Sequence, residues 1–284
     1  MEPNATETLE TFPVDESEGK EKRDDPAVIK TCCAAVYQSD WARLLLGESF
    51  HPGGLALTER LGQALGLAPG MRVLDVATGQ GSSAIHLAQT FGCEVLGVDL
   101  GAESVRRANE AAAAAGVAHL ARFIQGDAER LPVADGAFDA LICECAFCTF
   151  PPKATAAREF ARALRPGGRV GVSDLTRSGS APEDLRSLLA WVACIADAQP
   201  IAEYVRYLTA ASLTVQVSEP HDEALLGLVR DVQAKLLGAE LLSKLKWLDL
   251  PQVNFDEAQR LARAARETIA AGTFGYALLI ASKA

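Results

Sequence analysis

The residues best equipped for chemistry are the thiols. Of seven cysteines in 284 residues, Cys143, Cys145 and Cys148 fall within six positions, Cys32 and Cys33 are adjacent, and Cys93 and Cys194 stand apart. Cys143 and Cys145 are two apart on a predicted strand, so they share one face near its carboxyl end, and Cys148 follows in the loop. In the helical run EDLRSLLAWVACIA the apolar stripe is Leu185, Leu188, Leu189, Val192 and Ile195, which turns Cys194 to the opposite side with Ser187 and Trp191. Thiolates hold soft, thiophilic ions. Zinc is one such guest, but Cys143, Cys145 and Cys148 lack the paired CxxC spacing of a structural site, and Cys194 would have to supply the fourth ligand. A bridge between neighbours Cys32 and Cys33 would be strained. Cys93 reads as a small buried hydrophobe.

The second set of chemical residues is carboxylates that end apolar runs. In VLDVATGQGSSAIHLA a strand carrying Asp75 meets a turn with Gly79 and Gly81 and then a helix. Glycines there take positive φ and let a ligand approach the backbone at a helix start. Asp99 closes the next strand, twenty residues after Gly79, a position from which a carboxylate accepts the hydroxyl protons of a ribose. GDAERLP sets Asp127 and Ala128 at the following strand end, an acid and an amide suited to an adenine edge. His51 and Glu144 are the candidate bases, whereas His86, His119 and His221 read as structural.

These positions need a scaffold that gathers strand ends. From Arg72 onward VLDVA, EVLGVDL, ARFIQGD, FDALICECAF and RVGVSDL read as strands, and LTERLGQALGL, SSAIHLAQTF, ESVRRANEAAAA and TAAREFARAL as helices. Such alternation makes an α/β fold with a mainly parallel sheet covered on both faces, whose ligands settle beyond the carboxyl ends of the strands. After Leu175 AEYVRYLTAA is predicted helical, LTVQVSEPH extended, ALLGLVRDVQAKLL and FDEAQRLARAARETIA helical, and FGYALLIASK a final strand.

In their order, DVATGQG, GVDL, GDAERLP, FDALICE and LRPGGRVGVSDL resemble the class I S-adenosylmethionine (SAM)-dependent methyltransferases over residues 70 to 178. The resemblance implies a Rossmann-like, seven-stranded sheet with an antiparallel last strand. It implies that Asp75, Gly79 and Gly81 surround the methionine moiety, Asp99 with Leu100 the ribose, and Asp127 with Ala128 the adenine, with Glu144 also beside the cofactor. A dinucleotide oxidoreductase is the rival for the turn, with Ala84 an allowed variant of its third glycine, but the GDAERLP and LRPGG blocks have no place in it.

Methyl transfer from a sulfonium is an in-line displacement in which positioning does much of the work. Oxygen and amine acceptors also need a base, and a soft lone pair does not. ICECAFCTFPPKATAAREFARALRPGGRVGVSD and WVACIADA are similar to blocks of the arsenite methyltransferases, which implies Cys145 and Cys194 as substrate thiols and a third from Cys32 or Cys33; Cys143 or Cys148 is the expected substitute. The favoured acceptor is then a thiol-bound trivalent arsenical. The alternatives are a carbon, nitrogen or oxygen methyltransferase using His51 or Glu144, and a noncatalytic metalloid or zinc binder.

Composition limits the partners. The formal net charge of −10 disfavours nucleic acid, and no run is long and apolar enough for a membrane span. Residues 1 to 25 hold nine acids and three bases and read as a solvated acidic tail. The first twenty residues lack a secretory pattern, so a cytoplasmic setting with reduced thiols is expected. Residues 26 to 69 form an expected helical lid or cap, in which LGESFHPGG resembles a His-Gly loop and brings Tyr37, Trp41 and His51. Residues 70 to 284 form the catalytic domain, with a helical insertion at about 222 to 270.

Overall fold

A computed structural model describes residues 51–179, 197–245 and 254–284. Its first element, α1 (Gly54–Leu65), is set off by left-handed glycines at both ends, Gly53 with φ 78° and Gly66 with φ 68°. Leu57, Leu61 and Leu65 recur every four residues and are buried. Each such leucine contributes about 1.5–3 kcal/mol on burial, so α1 is a permanent cover of the sheet. The part of the expected lid or cap before His51 lies outside the described residues, together with the acidic tail and Cys32, Cys33, Tyr37 and Trp41. Cys194 and Trp191 lie outside them as well.

After α1 the chain alternates: β1 (Arg72–Val76), α2 (Ser82–Phe91), β2 (Glu94–Asp99), α3 (Ala102–Ala114), β3 (Ala121–Gln125), β4 (Phe138–Glu144), α4 (Lys153–Ala163) and β5 (Leu164–Arg177). Then come α5 (Ile201–Ala210), β6 (Leu213–Pro220), α6 (Asp222–Lys244), α7 (Phe255–Ala270) and β7 (Phe274–Lys283). The seven strands form one sheet in the order β3-β2-β1-β4-β5-β7-β6. All ladders are parallel except those of β7, which runs antiparallel to both β5 and β6. This is the expected seven-stranded Rossmann-like sheet with its antiparallel last strand.

Burial explains the two kinds of strand sequence. β7 lies between β5 and β6, and its first eight residues are buried, as a strand covered on both faces requires. β6 is the edge, and its residues alternate between more and less exposed positions. Small residues let the helices come close: a Cβ at Gly171 of β5 would stand 2.6 Å from Leu61, and one at Gly62 would stand 2.6 Å from Phe91. Between β6 and β7 the chain inserts α6 and α7, the latter capped by Asn254, whose side chain accepts the Glu257 amide at 3.1 Å. Among the described residues no helix is long and apolar enough to cross a membrane.

Candidate active site

Strand order reverses between β1 and β4, and a cleft opens beyond their carboxyl ends. With the open solvent at its mouth included, it encloses about 1190 Å³ of empty space. His51, Asp75, Gly79, Asp99, Leu100, Asp127, Ala128, Glu144 and Cys145 all line it. The residues that the sequence scatters over almost a hundred positions are thereby brought to one place.

The β1 end shows how. Ala77 leaves the strand with φ 59°, and the turn is fixed by the Thr78 amide donating to the Val98 carbonyl (3.1 Å) and the Gly79 amide donating to Asp99 Oδ2 (2.8 Å). Gly79 has φ 57°, and a Cβ placed there would meet no protein atom within 4 Å. Its backbone is bare toward the cleft. Gly81 does a different job: its added Cβ would lie 2.6 Å from Phe123 and 2.9 Å from Ala108, and it does not line the cleft. Gly81 brings the start of α2 close to β3 and α3. Beside the bare backbone, Gln80 lines the cleft and its buried side-chain nitrogen lacks a hydrogen-bond partner.

The acids differ in surroundings. Asp99 accepts the Gly101 and Gly79 amides at 2.8 Å each; burial raises its carboxyl above the usual range and these two bonds oppose the rise. Asp75 is 3% exposed and accepts the Thr78 hydroxyl. Burial pushes it up to about 7, the Thr78 bond pulls it down, and the nearby Glu144 and Asp99 charges add to the rise. Asp127 accepts the Glu129 amide at 2.9 Å, with Ala128 beside it and Leu100 half-exposed across the mouth.

At the buried end of the cleft stands a polar cluster. Glu144 Oε2 accepts the Thr58 hydroxyl at 2.9 Å and faces His51 Nε2 at 3.6 Å, and Oε1 accepts the Ser173 hydroxyl at 3.4 Å. Ser83 Oγ lies 3.3 Å from both His51 Nε2 and Thr58 Oγ1. His51 and Glu144 were predicted. Thr58, Ser83 and Ser173 were missed, although each is a polar residue set in an apolar helical stripe or strand, which is the pattern that marks them.

The three thiols around the end of β4 do not share one environment. Cys145 follows the end of β4 with φ 52°, its amide donating to the Ser173 carbonyl at 2.7 Å. That left-handed residue breaks the alternation of the strand, so the face-sharing expected for Cys143 and Cys145 fails. Cys145 lines the cleft, whereas Cys143 and Cys148 are fully buried and do not. Burial pushes the Cys143 thiol well above its usual range, with Asp174, Asp75 and Glu144 adding to the rise. Among the described residues no three His, Cys, Asp or Glu side chains converge as a metal site.

Comparison with known proteins agrees with this geometry. Residues 73–168 match the family described as a methyltransferase domain. An "uncharacterized protein" of Mycobacterium tuberculosis is 35% identical over 160 residues, 55% of this chain and 56% of that protein. The arsenite methyltransferase of Halobacterium salinarum is 32% identical over 164 residues, 56% of this chain and 41% of that enzyme. The chain thus spans about half the length of these curated relatives. In fold it is similar to the phosphoethanolamine N-methyltransferase 2 of Haemonchus contortus, solved with phosphomonomethylethanolamine and S-adenosylhomocysteine: TM-score 0.76, 17% identity, 90% of this chain and 60% of that one.

Proposed function

Because residues 73–168 form a methyltransferase domain, we propose that the protein is a SAM-dependent methyltransferase whose acceptor is a small molecule that gives up a proton. The residues fit the cofactor. Gly79 offers bare backbone at the start of α2, Gln80 has an amide nitrogen in need of an acceptor, and Asp99 is held in place for hydroxyl donors. In this reading Asp75, Gly79 and Gln80 hold the amino acid half, Asp99 and Leu100 the ribose, and Asp127 with Ala128 the base. Bound there, SAM supplies an electrophilic methyl group on a sulfonium. The protein's own task is to orient the acceptor, exclude water and accept a proton.

The observation that carries the acceptor class is the approach of His51 Nε2 to Glu144 Oε2 at 3.6 Å within the lining of the cleft. An imidazole beside a carboxylate takes up a proton and keeps the resulting charge compensated. A second reading, arsenite methylation, is supported by Cys145 in the cleft and by the halobacterial relative. It needs two further thiols, which Cys143 and Cys148 are too buried to provide, and which Cys194 and Cys32 or Cys33 would have to bring.

Equilibrium dialysis with labelled SAM tests the cofactor, with Asp99→Ala expected to abolish retention. Methyl-labelled SAM is then offered with phenolic and enolic acceptors on one side and arsenite plus thiol on the other. Label in the first set, lost in His51→Asn and kept in Cys145→Ser, supports the proposal. Label only in methylarsenicals, lost in Cys145→Ser, moves the assignment to arsenic.

A further inference from the structure

The polar cluster extends one layer below Glu144. Tyr276 of β7 is fully buried, and its hydroxyl donates to Ser173, 3.1 Å from Oγ and 3.2 Å from the carbonyl oxygen. Ser173 of β5 sits opposite Glu144 in the β4–β5 ladder and donates onward to Oε1. From the other side Thr58 of α1 donates to Oε2. Each carboxylate oxygen of Glu144 therefore receives one hydroxyl proton, from elements on two sides of it.

His51 is constrained as well. Its Nδ1 lies 3.3 Å from the Pro52 carbonyl oxygen, and a carbonyl only accepts, so a hydrogen bond there requires a proton on Nδ1. The neutral ring then has its lone pair on Nε2. Thr58 has a single hydroxyl proton, and it is directed at Glu144, so the 3.3 Å approach of Thr58 to Nε2 is not a donation from Thr58. Ser83, at 3.3 Å, is placed to donate to Nε2.

We infer that His51 rests as the Nδ1–H tautomer with Nε2 as the proton-accepting atom of the cleft. Thr58 and Ser173, the latter held in turn by the Tyr276 hydroxyl, are positioning residues that hold this tautomer, because they give Glu144 the protons it would otherwise draw from His51. The catalytic part of the inference rests on the proton-bearing acceptor proposed above. As an acceptor X–H passes its proton to Nε2, the X electron pair forms the bond to the methyl carbon and the electrons of the methyl–sulfur bond remain on sulfur. The imidazolium left behind faces Glu144.

The experiment uses full-length protein labelled with 15N-histidine, its four histidines distinguished by loss of one signal set in His51→Asn. In alkaline buffer, long-range proton–nitrogen correlation is expected to give His51 a protonated-type Nδ1 and a bare-type Nε2. Thr58→Val and Ser173→Ala each remove a hydroxyl donor from Glu144, so both should move His51 toward the Nε2–H form, while Thr58→Ser retains the wild-type pattern. Ser173→Ala removes one oxygen from a strand, which guards the test against misfolding of Thr58→Val. A wild-type Nε2–H tautomer, or a Ser173→Ala spectrum identical to wild type, overturns the inference. SAM retention measured on the same samples separates the two readings, since a wild-type protein that binds no SAM sinks the methyltransferase proposal whatever the tautomer.

Discussion

On the proposed reading, Asp75 should make cofactor affinity a function of pH. Its carboxyl, pushed up to about 7 by burial against the pull of the Thr78 hydroxyl, is about one-tenth ionised at pH 6 and nine-tenths ionised at pH 8. A cationic ligand in the cleft favours the ionised form. If only that form binds SAM well, the dissociation constant falls by the ratio of (1 + 10) to (1 + 0.1), about tenfold, between those two pH values. At pH 7 binding should release about half a proton. Titration calorimetry in phosphate and in Tris, whose ionisation enthalpies differ, reads both quantities, and Asp75→Asn subtracts the cofactor's own titration. The apo protein supplies a second readout of opposite sense. Between about pH 4 and 7 the folded state keeps a proton that the unfolded state has lost, so stability falls as pH rises through this window and is flat above it. The loss is on the order of 4 kcal/mol from a rise of about three units. About 2.6 kcal/mol of it falls between pH 5 and 8, read as the wild-type difference in urea stability between those two values, less the same difference in Asp75→Asn. An affinity that is level from pH 6 to 8 in wild type refutes the assignment of Asp75 to the cationic end of the ligand.

Other substitutions separate packing from binding. Gly81→Ala forces a Cβ to 2.6 Å from Phe123 at φ 80°, and should cost on the order of 3 kcal/mol of stability by urea unfolding. Gly79→Ala, with no protein atom near its Cβ, should cost about 1 kcal/mol for its left-handed backbone yet weaken SAM binding at least tenfold by dialysis. Peptide mapping after brief iodoacetamide treatment should find Cys145 alkylated before Cys143 and Cys93, whose thiols burial raises, that of Cys93 to about 11. SAM should slow the labelling of Cys145, and equal labelling of Cys143 would contradict the burial described.

What sequence reading recovers here follows from the range of each signal. Local periodicity and turn residues locate the ends of α2 and β7 and name Asp75, Asp99 and Asp127, because each lies next to the strand end it serves. The split between Gly79 and Gly81 is not local: it depends on Phe123 and Ala108, which belong to other elements. Cys143 and Cys145 were misplaced because period-two reasoning assumes extended backbone, and Cys145 has φ 52°. Tyr276 is hidden for a further reason. In FGYALLIASK a tyrosine looks like one more large buried residue, and only the parallel register of β4 on β5 and the antiparallel passage of β7 bring its hydroxyl to Ser173 under Glu144.

The two left-handed residues of the cleft other than glycine, Ala77 and Cys145, stand at the exits of β1 and β4, the neighbours between which strand order reverses. Each costs of order 1–2 kcal/mol relative to ordinary backbone, an amount the buried sheet and its helical cover absorb. In return each turn redirects an amide. Past Ala77 the chain bends so that the Gly79 amide reaches Asp99, tying β1 to β2, and at Cys145 the amide reaches the Ser173 carbonyl, tying β4 to β5. The two exits are thus pulled toward opposite neighbours. Hydrogen bonds formed within the protein draw the two exits apart, and on the proposed reading the carboxylates they present divide into one set for the cofactor and one residue, Glu144, for the proton-accepting histidine.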